Sequence, residues 1–285
     1  MISGHTKIVG VIGDPVEHSR SPQMHNSALQ EMGLDYVYVP FRVKAEELKS
    51  AVDGFRALNV VGINVTLPHK KAVMTLMDRV SEEAELIGAV NTMVFREGIV
   101  KGHNTDARGF LESLYEKGID SVEKMKVVVL GAGGGARAIV AGLALENVTS
   151  ITIANRTPEN AVKLADDIRK KTGVPMTGIS LNESELSAPI SKCDLLVSTI
   201  TAGMDPTIKL SIDIDWLQKD CVVCDIVYTP PETNLLKAAM DRGLKTVGGT
   251  GMLVHQGAIS FQLWTGLQPP LETMRQALAK ALGQQ

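Results

Sequence analysis

Short apolar runs and amphipathic stretches alternate along almost the whole chain. Lys7–Ile12, Tyr36–Val43 and Val60–Thr66 read as strands, and Pro22–Met32 and Ala45–Leu58 between them as helices. This β-α-β-α-β rhythm predicts a parallel or mixed sheet. Ser81–Ile87 reads as a short helix capped by Ser81. Ala89–Phe95 and Ile99–Lys101 read as strands joined by a turn at Glu97-Gly98, and Ala107–Lys117 as a helix ended by Gly118. A second series follows. Val127–Leu130, Ser150–Ala154, Cys193–Thr199, Cys221–Tyr228 and Lys245–Val247 read as strands, with helices over Ala136–Leu145, Pro158–Lys170 and Glu232–Arg242. The small, polar segment Thr199–Gly203 ends one of these strands. Gly248-Gly249-Thr250-Gly251 reads as a flexible hinge, and Met252–Thr265 and Leu271–Leu282 as closing helices.

The second series is organised around Lys126–Ala138. A buried strand, Val127–Leu130, runs straight into Gly131, Gly133 and Gly134 and then into a helix. Strand, tight glycine turn and helix bring backbone N–H groups and a helix N-terminus up to a pyrophosphate. The plainer reading is a glycine turn that only lets a helix pack closely on a sheet; the flanks favour the dinucleotide. The next strand ends in Asn155-Arg156-Thr157, where an NAD site would carry an acidic residue for the ribose. Arg156 suits a 2′-phosphate instead, which favours NADP over NAD. Thr157 is placed to cap the following helix.

The first series ends in polar residues of a different kind. In an extended Val16–Pro22, Ser19 and Ser21 point to one side and can hold a carboxylate or polyol; Ser21 is also placed to cap the next helix, and both can hold at once. Asn64 and Thr66 share a side at the end of a strand, where open α/β sheets bind ligands. Pro68 can open a helix with Lys70 in its first turn. A lysine there opposes the helix dipole, which hints at function, although a solvated lysine beside Lys71 explains it as simply. Thr105 or Asp106 is placed to cap the helix Ala107–Lys117, the commonest reason for an Asp there, and the first domain boundary falls near Asp106.

Composition narrows the class. With 285 residues, 44% hydrophobic, the chain can form two domains with full cores. A net charge of -3 gives no reason to expect nucleic acid or an acidic membrane surface as partner. No apolar run is long enough to span a bilayer, and the amino terminus lacks the pattern of a signal peptide. Three cysteines, an odd count, suit a reducing cytoplasm. Cys221 and Cys224 imitate a redox or zinc motif, but in a strand they face opposite sides and no second pair exists, so they read as small core residues. The six histidines show no metal-ligand spacing.

Taken together, the motifs resemble the shikimate dehydrogenase family over nearly the whole chain. The resemblance rests on Ser19-Arg20-Ser21-Pro22-Gln23-Met24-His25-Asn26, Asn64-Val65-Thr66-Leu67-Pro68-His69-Lys70, Gly88-Ala89-Val90-Asn91-Thr92 and Gly102-His103-Asn104-Thr105-Asp106. It continues through Gly131-Ala132-Gly133-Gly134, Asn155-Arg156-Thr157, Asp225-Ile226-Val227-Tyr228-Thr229-Pro230 and Gly249-Thr250-Gly251-Met252-Leu253-Val254-His255-Gln256. It implies an α/β protein of two domains. A substrate-binding and catalytic domain, 1–106, is completed by helices in 249–285; a Rossmann domain, 107–248, binds NADP; the site lies in the cleft between them.

The implied reaction is the reversible reduction of 3-dehydroshikimate to shikimate by NADPH, in a cytoplasmic enzyme working as monomer or homodimer. The resemblance makes Lys70 and Asp106 the catalytic pair. It makes Ser19, Ser21, Asn64, Thr66, Lys70, Asn91, Asp106, Tyr228 and Gln256 substrate ligands. The cofactor falls to Gly131, Ala132, Gly133, Gly134, Gly135, Asn155, Arg156, Thr157, Ile226, Gly249 and Met252, with no metal. Two positions depart from the family pattern. Asn160 stands where NADP-using members often carry a second basic residue. Ser198-Thr199-Ile200 stands where Asn-Ala-Thr is usual, so Ile200 carries no cofactor role. The rival readings are a quinate/shikimate dehydrogenase using NAD or both cofactors, a non-catalytic dinucleotide sensor, and a methylene-tetrahydrofolate dehydrogenase-like enzyme. The catalytic pair argues against the sensor, and the paired serines with the Asn64–Lys70 motif against the last.

Overall fold

The first apolar run becomes β1 (Lys7–Gly13), whose last five residues are all buried. It is followed by α1 (Ser21–Glu31), β2 (Tyr36–Arg42), a 3₁₀ turn over Ala45–Glu47 and α2 (Leu48–Ala57). Then come β3 (Gly62–Val65), a 3₁₀ turn over Ala72–Leu76, β4 (Arg79–Val80), α3 (Glu82–Ile87), β5 (Thr92–Arg96), β6 (Ile99–His103) and α4 (Asp106–Glu116). These coordinates are a computed structural model and describe residues 2–200 and 212–283. The six strands form one sheet in the order β2-β1-β3-β5-β6-β4. β1 runs parallel to β2 and β3, β5 runs antiparallel to β3 and β6, and β4 runs parallel to β6, so the sheet is mixed. α2 turns Leu48, Val52 and Phe55 onto it, the i, i+4, i+7 stripe of a surface helix, against Ile12, Ile63, Val65 and Met93.

This mixed topology gathers the polar motifs. The carboxyl ends of β1, β3 and β6 and the amino end of β5 share one edge of the sheet. Ser19 and Ser21 follow β1, Thr66 and Lys70 follow β3, Asn91 precedes β5, and Asp106 follows β6. Asn64 and Thr92 are register partners across β3 and β5.

The second series gives β7 (Lys126–Leu130), α5 (Gly134–Leu145), β8 (Ser150–Asn155), α6 (Pro158–Thr172), β9 (Met176–Ser180) and α7 (Glu183–Ile190). β10 (Leu195–Ser198), β11 (Val222–Asp225), α8 (Asn234–Asp241) and β12 (Lys245–Gly248) complete it. All pairings in this sheet are parallel, in the order β12-β11-β10-β7-β8-β9. The strand order reverses between β7 and β10, which is the switch point where doubly wound sheets bind nucleotides. Leu130, Ile190, Leu196 and Val223 lie in the core on one side of this sheet. α9 (Gly249–Thr265) and α10 (Leu271–Ala281) end the chain, with α10 packed on α1. By its packing the chain forms one unit of Met1–Gly109 with Val254–Gln285 and another of Phe110–Leu253, the divisions falling inside α4 and α9. No described helix is long and apolar enough to cross a membrane.

Several expectations need correction. Ser21 is not the cap of α1 but its first residue; Arg20 holds the cap position, with no side-chain bond there. Pro68 opens no α-helix: residues 67–71 turn, His69 N donating to Thr66 O at 3.0 Å, so Lys70 opposes no helix dipole. Thr157 holds the cap position of α6 without capping it through its hydroxyl. The strand expected over Cys221–Tyr228 stops at Asp225, where the side chain accepts from Val227 N and turns the backbone. Cys221 and Cys224 are buried and free, as core residues. β9 and α7 fill a stretch whose pattern marks no element. Of the Thr199–Gly203 segment, 201–203 lie outside the described residues.

The expected glycine hinge is also different. Gly248 ends β12, and Gly249–Gly251 are the first turn of α9. A side chain at Gly249 would overlap the backbone carbonyl of Ile226, whereas one at Gly248 would meet only ordinary contacts, 3.5 Å from Pro231 O. Gly249 therefore serves close packing rather than flexibility. Gly249→Ala is expected to lower unfolding stability by about 2 kcal/mol or more, as overpacking against backbone does, and Gly248→Ala to change it by less than about 1 kcal/mol. Urea unfolding of the two variants checks this; equal effects would restore the hinge.

Candidate active site

Asp106 is the centre of the polar edge of the first unit. Its carboxylate is nearly buried, with 8% of the side chain exposed, and it accepts from Lys70 Nζ at 2.6 Å through Oδ2. Its other oxygen accepts from Asn91 Nδ2 at 2.8 Å. Its backbone N–H donates to Asn104 Oδ1 at 3.0 Å, and Asn104 Nδ2 donates to Ala89 O, so the turn into α4 is pinned to the segment that leads into β5. Asp106 is thus the first residue of α4, and its carboxylate faces a lysine instead of capping the helix. Lys70 keeps 20% of its side chain exposed, so the pair has one wet side from which a reactant can approach. A backbone bond from Val90 N to Lys70 O at 2.8 Å fixes the turn that carries the lysine.

Behind Asp106 the hydrogen bonds have a direction. Thr105 N donates to Asn91 Oδ1 at 2.8 Å, which decides which end of the Asn91 amide faces Asp106. Thr92 Oγ1 donates to the same Asn91 oxygen at 2.9 Å. Asn64 Nδ2 in turn donates to Thr92 Oγ1 and Ser260 Oγ, each at 3.0 Å, and lies 3.3 Å from Asn91 O. This orientation leaves Asn64 Oδ1 to accept from the Tyr38 hydroxyl at 2.8 Å. One donor of each residue from Tyr38 through Asn64, Thr92 and Asn91 forms a relay that leads to the Asp106 carboxylate. Ser260, on α9, ties the far end of the chain into the network and donates to Gln256 O at 3.0 Å.

Ser19 and Ser21 lie together, Ser21 N donating to Ser19 Oγ at 3.3 Å. Thr66 N donates to Ile12 O at 2.9 Å, which holds it beside the end of β1. Ser19, Ser21, Asn64, Thr66, Lys70, Asn91, Asp106 and Gln256 all belong to the first unit. Tyr228 belongs to the second, on the segment that leaves β11.

In the second unit Gly131 has φ +105, a conformation that side-chain-bearing residues rarely adopt, and a side chain there would strike the Thr199 hydroxyl. Its N–H donates to Ala154 O at 2.7 Å, joining the turn to β8. α5 starts at Gly134 with no side-chain cap at Gly133, and open space lies beside Gly133 and Gly134. The first N–H groups of a twelve-residue helix are left for an anion. A side chain at Gly135 would lie 2.9 Å from Ile226, whose carbonyl borders Gly249, so these three residues meet. Arg156 and Thr157 are exposed at the carboxyl end of β8, where Asn155 Nδ2 donates to Thr157 O at 2.9 Å. Among the described residues no cluster of three or more His, Cys, Asp or Glu is placed to hold a metal.

Comparison with known proteins agrees along the chain. Family models described as shikimate dehydrogenase substrate binding domain, shikimate / quinate 5-dehydrogenase and shikimate 5′-dehydrogenase C-terminal domain match residues 11–93, 113–216 and 249–279. A shikimate dehydrogenase (NADP(+)) of Methanopyrus kandleri is 46% identical over 283 residues, covering 99% of this chain and 98% of that protein. The chain belongs to the shikimate dehydrogenase family. A crystal structure of a shikimate dehydrogenase in complex with NADP+ is similar at a TM-score of 0.91 and 42% identity, over 99% of this chain and 98% of that one. The shikimate 5-dehydrogenase of Listeria monocytogenes in complex with shikimate and NAD is similar at a TM-score of 0.92 and 38% identity, over 96% of this chain and 97% of that one.

Some of the residues that hold the polar network around Asp106, or a turn of the second unit, in place carry no local signal in the sequence. Tyr38 and Ser260 sit in ordinary strand and helix patterns, and only the fold brings them to Asn64. Asp225 is a buried carboxyl at the end of β11. Burial pushes it up to about 6, against the bonds that it accepts from Val227 N and Thr233 Oγ1 at 3.1 and 2.9 Å. It ties the segment bearing Ile226 and Tyr228 to the start of α8.

His25 is fully buried, stacked on the Tyr38 ring with centroids 4.4 Å apart and planes within 2°. Neither ring nitrogen has a hydrogen-bond partner among the described residues. Burial pushes the imidazole down from 6.5 to about 3. As pH falls below 6.5 the unfolded chain takes up a proton that the folded chain refuses, so stability falls with pH through this window. The slope reaches about 1.4 kcal/mol per pH unit. In His25→Phe this contribution is gone, and the melting temperature is expected to drop less between pH 6.5 and 4.5 than in the native protein. Parallel curves would show that His25 takes no part in the acid sensitivity.

Proposed function

We propose that the chain catalyses the reversible, NADPH-dependent reduction of 3-dehydroshikimate to shikimate, as a cytoplasmic enzyme of aromatic amino acid biosynthesis. The observation that carries this reading is the Lys70–Asp106 pair, 2.6 Å apart and backed by oriented amides. Around it stand hydroxyls and amides suited to a small polyhydroxylated acid. The Methanopyrus relative and the NADP+ complex support the substrate and cofactor by similarity.

When bound, NADPH supplies a hydride to the ketone carbon. The residues that fit it are the turn Gly131, Ala132, Gly133, Gly134 and Gly135, whose N–H groups take the pyrophosphate. Asn155, Arg156 and Thr157 take the 2′-phosphate end, and Ile226, Gly249 and Met252 complete the site. In the first unit the Lys70 ammonium stabilises the negative charge that grows on the ketone oxygen and gives it a proton. Asp106 holds the ammonium and accepts from the neighbouring substrate hydroxyl. Ser19 and Ser21 donate to the carboxylate. Thr66, Gln256, Tyr228 and the second lone pair of Asn64 Oδ1 serve the hydroxyls. Asn91 holds Asp106 in place through one amide hydrogen and serves a substrate hydroxyl with the one it otherwise gives Thr105.

A second reading, a quinate/shikimate dehydrogenase with NAD or dual cofactor use, is favoured by one observation: Asn160, exposed on α6 near Arg156, adds no second positive charge. Oxidation of shikimate and of quinate, each with NADP and with NAD, separates the two. Strong preference for shikimate with NADP supports the first, comparable rates with quinate or NAD the second, and no activity in any of the four refutes both.

Two variants test the residue roles. Lys70→Ala is expected to lower turnover by about 10²-fold or more while KM for shikimate rises far less, and an unchanged turnover would remove Lys70 from the chemistry. Arg156→Ala is expected to raise KM for NADP by about tenfold or more and leave KM for NAD nearly unchanged, the loss proper to a charge-assisted bond. Equal changes with both cofactors would detach Arg156 from the 2′-phosphate.

A further inference from the structure

Tyr38 lies on the edge strand β2, 2% exposed, yet it is fixed more completely than its place in the sheet requires. Its main chain is held by the Asn26 side chain of α1 through two bonds: Tyr38 N donates to Oδ1 at 2.8 Å, and Nδ2 donates to Tyr38 O at 2.9 Å. Asn26 stands where a further strand would pair. The ring is stacked on neutral His25 at 4.4 Å and met by Trp264 at 6.0 Å, so it has no room to swing. The hydroxyl donates to Asn64 Oδ1 at 2.8 Å. Burial pushes the phenol far above its usual range, so it remains a donor.

Asn64 lies on β3 and Tyr38 on the edge strand β2, and the Tyr38 hydroxyl is the donor that meets the Asn64 oxygen. Under the function proposed above, Asn64 serves a ring hydroxyl. We infer that Tyr38 is a positioning residue for substrate recognition, its hydroxyl fixing the orientation in which Asn64 meets that substrate hydroxyl. The hydroxyl also keeps Asn64 from turning over. Without that donor the amide can rotate its N–H₂ end into the gap and leave Thr92 and Ser260 unserved.

The test is steady-state kinetics of Tyr38→Phe, which keeps the ring and its stacking. The native enzyme assayed alongside checks the proposed reaction itself: if it does not turn over shikimate, the functional reading fails before the role of Tyr38 is reached. Given native activity, KM for shikimate is expected to rise about tenfold or more, the penalty of an unpaired buried acceptor, with kcat falling less and KM for NADP unchanged. Incorporating 4-aminophenylalanine at position 38, which restores an N–H donor towards Asn64, is expected to recover most of the loss. In an Asn64→Ala background, Tyr38→Phe is expected to cost less than it does alone. A lower melting temperature with unchanged KM for shikimate, equal losses towards NADP, or strictly additive losses with Asn64→Ala would each overturn the proposal and leave Tyr38 a purely structural residue.

Discussion

A carboxylate that is almost buried must be met by donors, and the first unit is built around meeting the one on Asp106. Lys70 covers one oxygen and Asn91 the other. An amide has a donor end and an acceptor end, so Asn91 can serve Asp106 only if its oxygen is held elsewhere. The backbone N–H of Thr105 and the hydroxyl of Thr92 hold it. The same demand passes to Asn64, whose two N–H groups face Thr92 and Ser260 and whose oxygen needs a donor from the other side. Tyr38 answers there. One charge therefore fixes the orientation of side chains from two strands, an edge strand and the helix near the carboxyl terminus. Such a network is stable only when complete, because each missing partner leaves a polar group dry.

The mixed sheet follows from the same requirement. Parallel strands β1 and β3 bring two loops to one edge. The antiparallel pair β5 and β6 then brings the start of one strand, Thr92, and the end of the next, His103, to that edge through one hairpin. An all-parallel arrangement would need a crossover for each loop. The second unit works differently. Under the proposed function the pyrophosphate meets backbone N–H groups there, so what matters at that turn is close approach of main chain, and glycines at 131 and 249 allow close packing. One unit offers oriented side chains, the other exposed backbone beside the Arg156 side chain.

This difference explains how far the sequence could be read. The glycine turn, the parallel strands around it and Arg156 announce themselves locally, because the conformations they need belong to few residue types. The polar ends of β1, β3 and β6 were also visible, since alternation along a strand places Asn64 and Thr66 on one side. What a given polar residue does there was not visible. A serine before proline suggests a cap for α1, and only the structure shows Ser21 one position too late to be it. Lys70 looked like a residue in a helix start because Pro68 commonly opens one; the turn over 67–71 is closed instead by a bond back to Thr66. β9 was missed because Gly178 interrupts a short edge strand, and α7 because Pro189 and two serines blur its period. Tyr38 and Ser260 had no local signal, since their partners lie 26 and 196 residues away.

The distribution of hydrogen bonds separates recognition from support within a single group of residues. Asn91 has both amide hydrogens engaged, with Thr105 and Asp106, and its oxygen accepts from two donors. The hydrogen given to Thr105 can pass to a ligand while the other keeps hold of Asp106. Asn64 has its hydrogens engaged and one lone pair of its oxygen without a donor among the described residues, so it can accept from a hydroxyl but cannot donate to a carboxylate. The serine hydroxyls and the Lys70 ammonium keep donors that can turn outward. A ligand that matches this edge must therefore present acceptors towards Ser19, Ser21 and Lys70 and a donor towards Asn64. A carboxylate, a ketone oxygen and a hydroxyl on one small ring satisfy that pattern together, and a substrate lacking any one of them leaves a polar group of the site unmet.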